Sequence, residues 1–247
     1  MNSGRGRLVA AVLVVLASGA CSRRPDGAPG SPPPPSAVVL HDAAIAESMD
    51  ARAPATPMSY LGAEWLERGT REKEEEPERV LDALNLRPGN VVADLGAGTG
   101  YFSLRIARRV APGGRVLATE IQKEMLERLR ANAAREKVEN VELVLATEDD
   151  ARLPENTIDL VLMVDVYHEL AHPKVTLQQV RRALHDGGRM VLVEYRGEDP
   201  SVPIKPEHKM TLADVRGEIE PNGFRFLESL EFLKTQRVIL FTPTARR

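Results

Sequence analysis

The chain has 247 residues, and its 33 Lys and Arg against 36 Asp and Glu leave a formal charge of −3, which gives no electrostatic footprint for nucleic acid. Hydrophobic residues at 43% allow one good core and exclude wholesale disorder or a polytopic membrane protein. The single cysteine, Cys21, excludes a disulfide framework, a Cys-based zinc cluster and two-cysteine redox chemistry, and aromatics at 4% leave little with which to stack nucleobases.

Arg5 and Arg7 precede an apolar run from Leu8 to Ala17, and Ser18, Gly19 and Ala20 then lead into Cys21. This is the three-part layout of a secretory signal over residues 1–20. Its apolar run falls short of the roughly 20 residues that span a bilayer. A small-residue run ending at the only cysteine resembles a bacterial lipoprotein signal, which implies a lipidated Cys21 attached to a membrane surface in the cell envelope. Ser18 stands where such signals favour Leu, so cleavage after Ala20 to a secreted protein is an alternative. An organelle transit peptide, or a cytoplasmic protein begun at Met49 or Met58, are others. Residues 21–57 read as a tether, because Pro25, Pro29, Pro32 to Pro35, Pro54 and Pro57, with Gly27 and Gly30, exclude continuous helix or sheet. Within it, HDAAIAESMD is a candidate short helix.

From residue 58 to 247 a single domain is expected, in which apolar runs of strand length alternate with helical periodicity. Pro77 opens a helix with Val80, Leu81 and Leu84 on one face, ended by Pro88 and Gly89. NVVADL is strand one; a helix follows from about Thr99 to Val110, then GRVLATE as strand two and a helix from Gln122 to Lys137. NVELVLA and IDLVLMVDV are strands three and four. A helix over Val175 to Leu184 precedes RMVLVEY, strand five. Thr211 with Asp214 starts another helix, which stops near Pro221 to Gly223. FRFLESLEFL and QRVILFT, joined by a short Lys234-Thr235 turn, can pair only antiparallel. The fold class is thus α/β: a doubly wound, Rossmann-like sheet of seven strands, mostly parallel, with a C-terminal antiparallel hairpin.

Strand one runs directly into LGAGTG and a helix, so backbone amides at the strand's C-terminal end face the space where such sheets bind ligands. A dinucleotide site wants G-x-G-x-x-G, but the third position is Tyr101 counted from Gly96 and Ser103 counted from Gly98, so that spacing fails. The run Asp94 to Gly100, D-x-G-x-G-x-G, resembles the first motif of class I S-adenosylmethionine methyltransferases. The resemblance covers about Glu76 to Thr242 and implies S-adenosylmethionine as cofactor. It implies that Asp94 holds the cationic end of the cofactor, that Gly96, Ala97, Gly98, Gly100 and Tyr101 form the loop around it, and that Glu120, ending strand two, accepts the ribose hydroxyls. Ile121 would pack on the adenine, with Asp149 or Asp150 of TEDDARLP beside it and Asp165 at the end of strand four.

The residues just past strand four face the transferred methyl in that family, so Tyr167, His168 and Glu169 are the catalytic candidates, His168 as a general base with Glu169 adjacent to orient or bind the substrate. Glu194, Tyr195 and Arg196 at the end of strand five, Lys205, His208 and Lys209 in the following insertion, and Trp65 in an N-terminal lid with Tyr60 and Arg68 are candidate substrate contacts. No metal is expected. The absence of an N/D-P-P-Y/F tetrapeptide after strand four and of cysteine in the domain disfavours amino-methylating nucleic-acid enzymes and thiol-based methyltransferases. The layout is similar to that of quinone-biosynthesis methyltransferases, which implies in-line methyl transfer to a small molecule. The alternative reading is a catalytically silent module of the same fold that binds cofactor or a partner.

Overall fold

The computed structural model describes residues 53–245. The expected signal segment, Cys21 and the HDAAIAESMD stretch lie outside the described residues. A 3-10 turn at Tyr60–Gly62 leads into α1 (Ala63–Leu66), α2 (Arg71–Glu75) and α3 (Pro77–Ala83). There follow β1 (Val91–Leu95), α4 (Ser103–Val110), β2 (Arg115–Glu120), α5 (Lys123–Glu136), β3 (Val141–Leu145) and β4 (Ile158–Val164). The chain ends with α6 (Pro173–Ala183), β5 (Leu184–Tyr195), α7 (Leu212–Ile219), β6 (Phe224–Leu230) and β7 (Gln236–Pro243). No helix among the described residues is long and apolar enough to cross a membrane.

The seven strands form one sheet in the order β3-β2-β1-β4-β5-β7-β6. Strands β1 to β5 run parallel, and β7 inserts antiparallel between β5 and β6. Strand order therefore reverses between β1 and β4, and the crevice beyond their C-terminal ends is where a doubly wound sheet takes its ligand. Alternation along the strands sends side chains to two apolar layers. Val92, Leu160, Leu162, Val191 and Leu240 pack beneath α3 and α4, together with Val80, Leu81 and Ile106. Ala93, Val161, Met190, Leu192 and Phe241 pack beneath α6 and α7, together with Leu177, Val180 and Val215. Pro77 and Pro173 occupy first-turn positions, where a missing N–H costs nothing, and the Thr211 hydroxyl accepts from Asp214 N to cap α7 as expected.

Three boundaries differ from expectation by three residues or more. Strand β5 starts at Leu184 rather than Arg189, directly after α6. Helix α4 starts at Ser103 rather than Thr99, because Gly100 has φ +88° and cannot belong to a right-handed helix. Strand β6 stops at Leu230, which leaves a five-residue connection, 231–235, in place of the two-residue turn. The Arg196 guanidinium explains it by donating to the carbonyls of Glu231, Leu233 and Lys234 and to the Glu231 carboxylate. Those backbone acceptors find a side chain in place of a ladder partner.

Candidate active site

The glycine loop is anchored at once to the neighbouring strand, with the Gly96 and Ala97 amides both donating to Thr119 O at 2.9 and 3.0 Å. Gly96, Gly98 and Gly100 are all left-handed. At Gly96 a Cβ would lie 2.5 Å from Val166 Cγ2, and at Gly100 one would lie 2.6 Å from Leu129 Cγ. Glycine is required at both for φ and for space. Gly96 and Gly98 line a cavity of about 730 Å³, whereas Ala97 and Gly100 face the buried Leu126, Leu129 layer and serve packing. Asp94 stands behind the cavity wall, only 3% exposed, and accepts from Ser103 Oγ at 2.5 Å. Burial raises its carboxyl to about 6, against the opposing pull of the Ser103 hydroxyl and the Arg71 charge.

Glu120 ends β2 inside the cavity. One carboxylate oxygen accepts from the Ile121 and Gln122 amides at 2.7 and 2.9 Å, and the other from the Gly98 amide at 3.0 Å. Three of its roughly four acceptor positions are filled, and the one left, on the oxygen that also holds Gly98, is where a hydroxyl can dock. Ile121 lies beside it, an exposed apolar side chain on the cavity wall. Neither Asp149 nor Asp150, the acids expected after β3, lines the cavity. The Asp149 carbonyl accepts from Gln179 and its carboxylate lies 3.3 Å from His172, while Asp150 accepts from the Arg152 amide. Glu148, with Ala146, Thr147 and Ala151, supplies that wall instead. In a loop with three consecutive acids, composition does not say which one the turn aims inward.

Beyond β4, Asp165 has φ +54° and accepts from Gln236 Nε2 with both oxygens at 2.9 Å. Burial, then the Glu194 and Glu75 carboxylates, push it well above the usual carboxylate range. A 3-10 turn over Tyr167–Glu169 aims His168 and Glu169 at the cavity. His168 Nδ1 lies 2.7 Å from Glu194 Oε2, and its Nε2 lies 3.2 Å from His208 Nδ1. Burial opposes protonation of His168, but the Glu194 carboxylate more than offsets it, and the ring's pKa is raised. Burial, then the neighbouring His168, hold His208 below the ordinary value. Burial lifts Glu169 to about 7 although His168 pulls it down.

Several expected contacts have other work. Tyr167 is fully buried with its hydroxyl on Glu218, so it is a core residue. Glu194 does not line this cavity; it accepts from the Tyr167 amide and orients His168. Arg196 is committed to the hairpin loop. Tyr101 turns outward, its hydroxyl on Glu72 and its ring between the guanidinium groups of Arg71 and Arg105. Lys209 donates to carbonyls of its own loop. Trp65, stacked 3.6 Å beneath Arg68, does line the cavity, as do Tyr195, Lys205 and His208. So do Arg71 and, from the segment read as tether, Pro54 to Pro57. Ala55 is buried and its amide donates to His168 O at 3.1 Å, so the packed chain begins before residue 58. Proline content concealed this, since a proline-rich segment can still lie flat on a surface.

Comparisons with known proteins agree with this geometry. A family model described as a methyltransferase domain matches residues 86–228. An uncharacterised transposon protein of Streptomyces fradiae is 36% identical over 115 residues, covering 47% of this chain and 33% of that protein. A ubiquinone/menaquinone biosynthesis C-methyltransferase of Pasteurella multocida is 30% identical over 170 residues, covering 65% of this chain and 62% of the relative. The chain thus spans less than two thirds of the length of these curated relatives. Among solved structures, a SAM-dependent methyltransferase of Aquifex aeolicus superposes with a TM-score of 0.71 at 24% identity, over 75% of this chain and 98% of that one. A TehB-like methyltransferase of Corynebacterium glutamicum gives 0.57 at 19%, over 75% and 100%. The fold is shared with both, and by its matching family model the chain belongs to the methyltransferase-domain family.

Proposed function

We propose that the cavity binds S-adenosylmethionine and that the protein transfers its methyl group to a small molecule. The observation that carries this reading is the charge of the wall. Among the described residues it holds the carboxyl groups of Glu120, Glu148, Asp165 and Glu169 against the cations Arg71 and Lys205. Such a wall opposes a pyrophosphate and favours a ligand bearing an ammonium and a sulfonium. The raised carboxyls of Asp165 and Glu169 fit the same ligand, because a bound cation restores their ionised forms. Gly96 and Gly98 allow close backbone approach, and the remaining acceptor position on Glu120 suits a ribose hydroxyl.

The cofactor supplies a methyl carbon on a good leaving group, and the protein's share is to align the acceptor and exclude water. Pro54 to Pro57 and Trp65 cover one side, while His168, Glu169 and His208 meet the acceptor on the other. The names of the quinone-methylating relatives support a small-molecule acceptor. The N-terminal layout supports export, and mass spectrometry of the mature N-terminus tests it, with an intact Met1 overturning that part.

Calorimetry decides the ligand. S-adenosylmethionine and S-adenosylhomocysteine should bind and NAD should not. Glu120→Ala should weaken S-adenosylmethionine at least tenfold, about 1.4 kcal/mol. Gly98→Leu, which puts a side chain into a left-handed position 3.2 Å from Leu66 Cδ1, should abolish binding while the protein stays folded. Binding of NAD with equal affinity, or an unchanged Glu120→Ala variant, refutes the reading.

A further inference from the structure

We propose that His168, Glu169 and His208 hold a divalent transition-metal ion at the acceptor side of the cavity, coordinated by two imidazole nitrogens and one carboxylate oxygen. Their three ligand atoms form a closed set: His168 Nε2 to His208 Nδ1 is 3.2 Å, and Glu169 Oε1 is 3.9 Å from each nitrogen. A triangle with sides of 3.2, 3.9 and 3.9 Å has its centre about 2.1 Å from every corner, within the roughly 2.0–2.2 Å of zinc–imidazole and zinc–carboxylate bonds. An ion at that centre therefore needs no change in the spacing of the three ligand atoms.

The surroundings are those of a ligand set. Glu194, fully buried, lies 2.7 Å from His168 Nδ1, and because a carboxylate there can only accept, the nitrogen of the neutral ring that serves as a ligand atom is Nε2. A carboxylate behind the imidazole is the arrangement that fixes tautomer and ring orientation in metal-ligating histidines. Glu194 is held in turn by the Tyr167 amide at 3.0 Å. His208 comes from a separate segment pinned to the end of β5, where Met210 N donates to Tyr195 O and Gly197 N to Met210 O. At Gly197 any Cβ would lie 2.7 Å from the backbone of Met210 and Thr211, so the close strapping that delivers His208 depends on glycine. The set contains no cysteine and its donors are nitrogen and oxygen, which suits zinc or iron(II) over softer ions. All three ligands line the cavity, so the ion's remaining coordination positions face the acceptor.

The chemistry rests on the methyl-transfer reading above. An ion here binds the oxygen of a hydroxyl or enol acceptor and lowers its pKa, so that its proton leaves to solvent. The freed oxygen lone pair then forms the new bond to the methyl carbon, while the electrons of the broken carbon–sulfur bond return to sulfur. One methyl replaces one hydrogen on the acceptor. The substrate class implied is an oxygen nucleophile that can ligate a metal.

The test uses the full chain, purified without an affinity tag and stripped with chelator. Zinc chloride titrated by calorimetry should show one site per chain. Cobalt(II) should give the visible absorption of a low-coordinate nitrogen and oxygen site. Both signals should disappear in His208→Ala and Glu169→Ala, and Glu194→Gln should weaken zinc by about 10–100-fold. Circular dichroism of each variant checks folding, and His208, being partly exposed, is the substitution least able to disturb it. No zinc uptake by the wild-type chain, or unchanged uptake by folded His208→Ala, overturns the proposal. S-adenosylmethionine binding is measured on the same samples, so zinc uptake without cofactor binding would sink the methyltransferase reading and leave the metal site standing.

Discussion

Asp94 is the residue at which burial sets ionisation against stability. Its carboxyl is raised from 3.8 to about 6, chiefly by burial. An acid whose pKa is higher folded than unfolded gives stability that is fully present below about pH 4 and lost as pH rises through about 6. At pH 7.5 the buried charge costs up to roughly 3 kcal/mol. Asp94→Asn keeps an acceptor for Ser103, so it should melt higher than wild type at pH 7.5, with the advantage vanishing at pH 4. A variant equally or less stable at pH 7.5 would contradict that environment. Sequence spacing marked Asp94, Glu120 and His168 because each lies at or just past the C-terminal end of a parallel strand. It gave no sign that Glu194 serves His168, since that pairing crosses from one strand end to the next turn. Arg196, two positions beyond Glu194, turns to the hairpin carbonyls for a reason visible only in three dimensions.

Among elements, the glycine loop owes its shape to contacts on both sides. Gly100→Ala combines a left-handed backbone with a Cβ 2.6 Å from Leu129 Cγ, and should cost roughly 2–4 kcal/mol, read as a lower urea midpoint. A loss below about 0.5 kcal/mol would mean that Leu129 yields easily. Helix and strand positions were legible because periodicity and turn residues are local. Loop aim was not, as the substitution of Glu148 for Asp149 and Asp150 illustrates. The cluster of His168, Glu169 and His208 also escaped the sequence: two of its members are adjacent, but the third lies 40 positions away on a turn with no periodicity.

For the molecule as a whole, a mostly parallel, doubly wound sheet closed by an antiparallel hairpin was readable from the alternation of strand and helix plus one short connection, whereas the strand order, with β7 between β5 and β6, was not. The cavity was not, because at least eight chain segments distant in sequence build it. One of those segments alters the choice among translation starts. A product begun at Met49 retains Pro54 to Pro57, whereas one begun at Met58 lacks that side of the cavity and the Ala55 amide bonded to His168 O. The longer product should match the parent protein in affinity for S-adenosylmethionine, and the shorter should bind at least several-fold more weakly; equal affinities would show that the missing wall is dispensable. The stretch at the N-terminal edge of the described residues is therefore masonry of the chamber, tied by its Ala55 amide to the carbonyl of His168, and not a detachable lead-in to it.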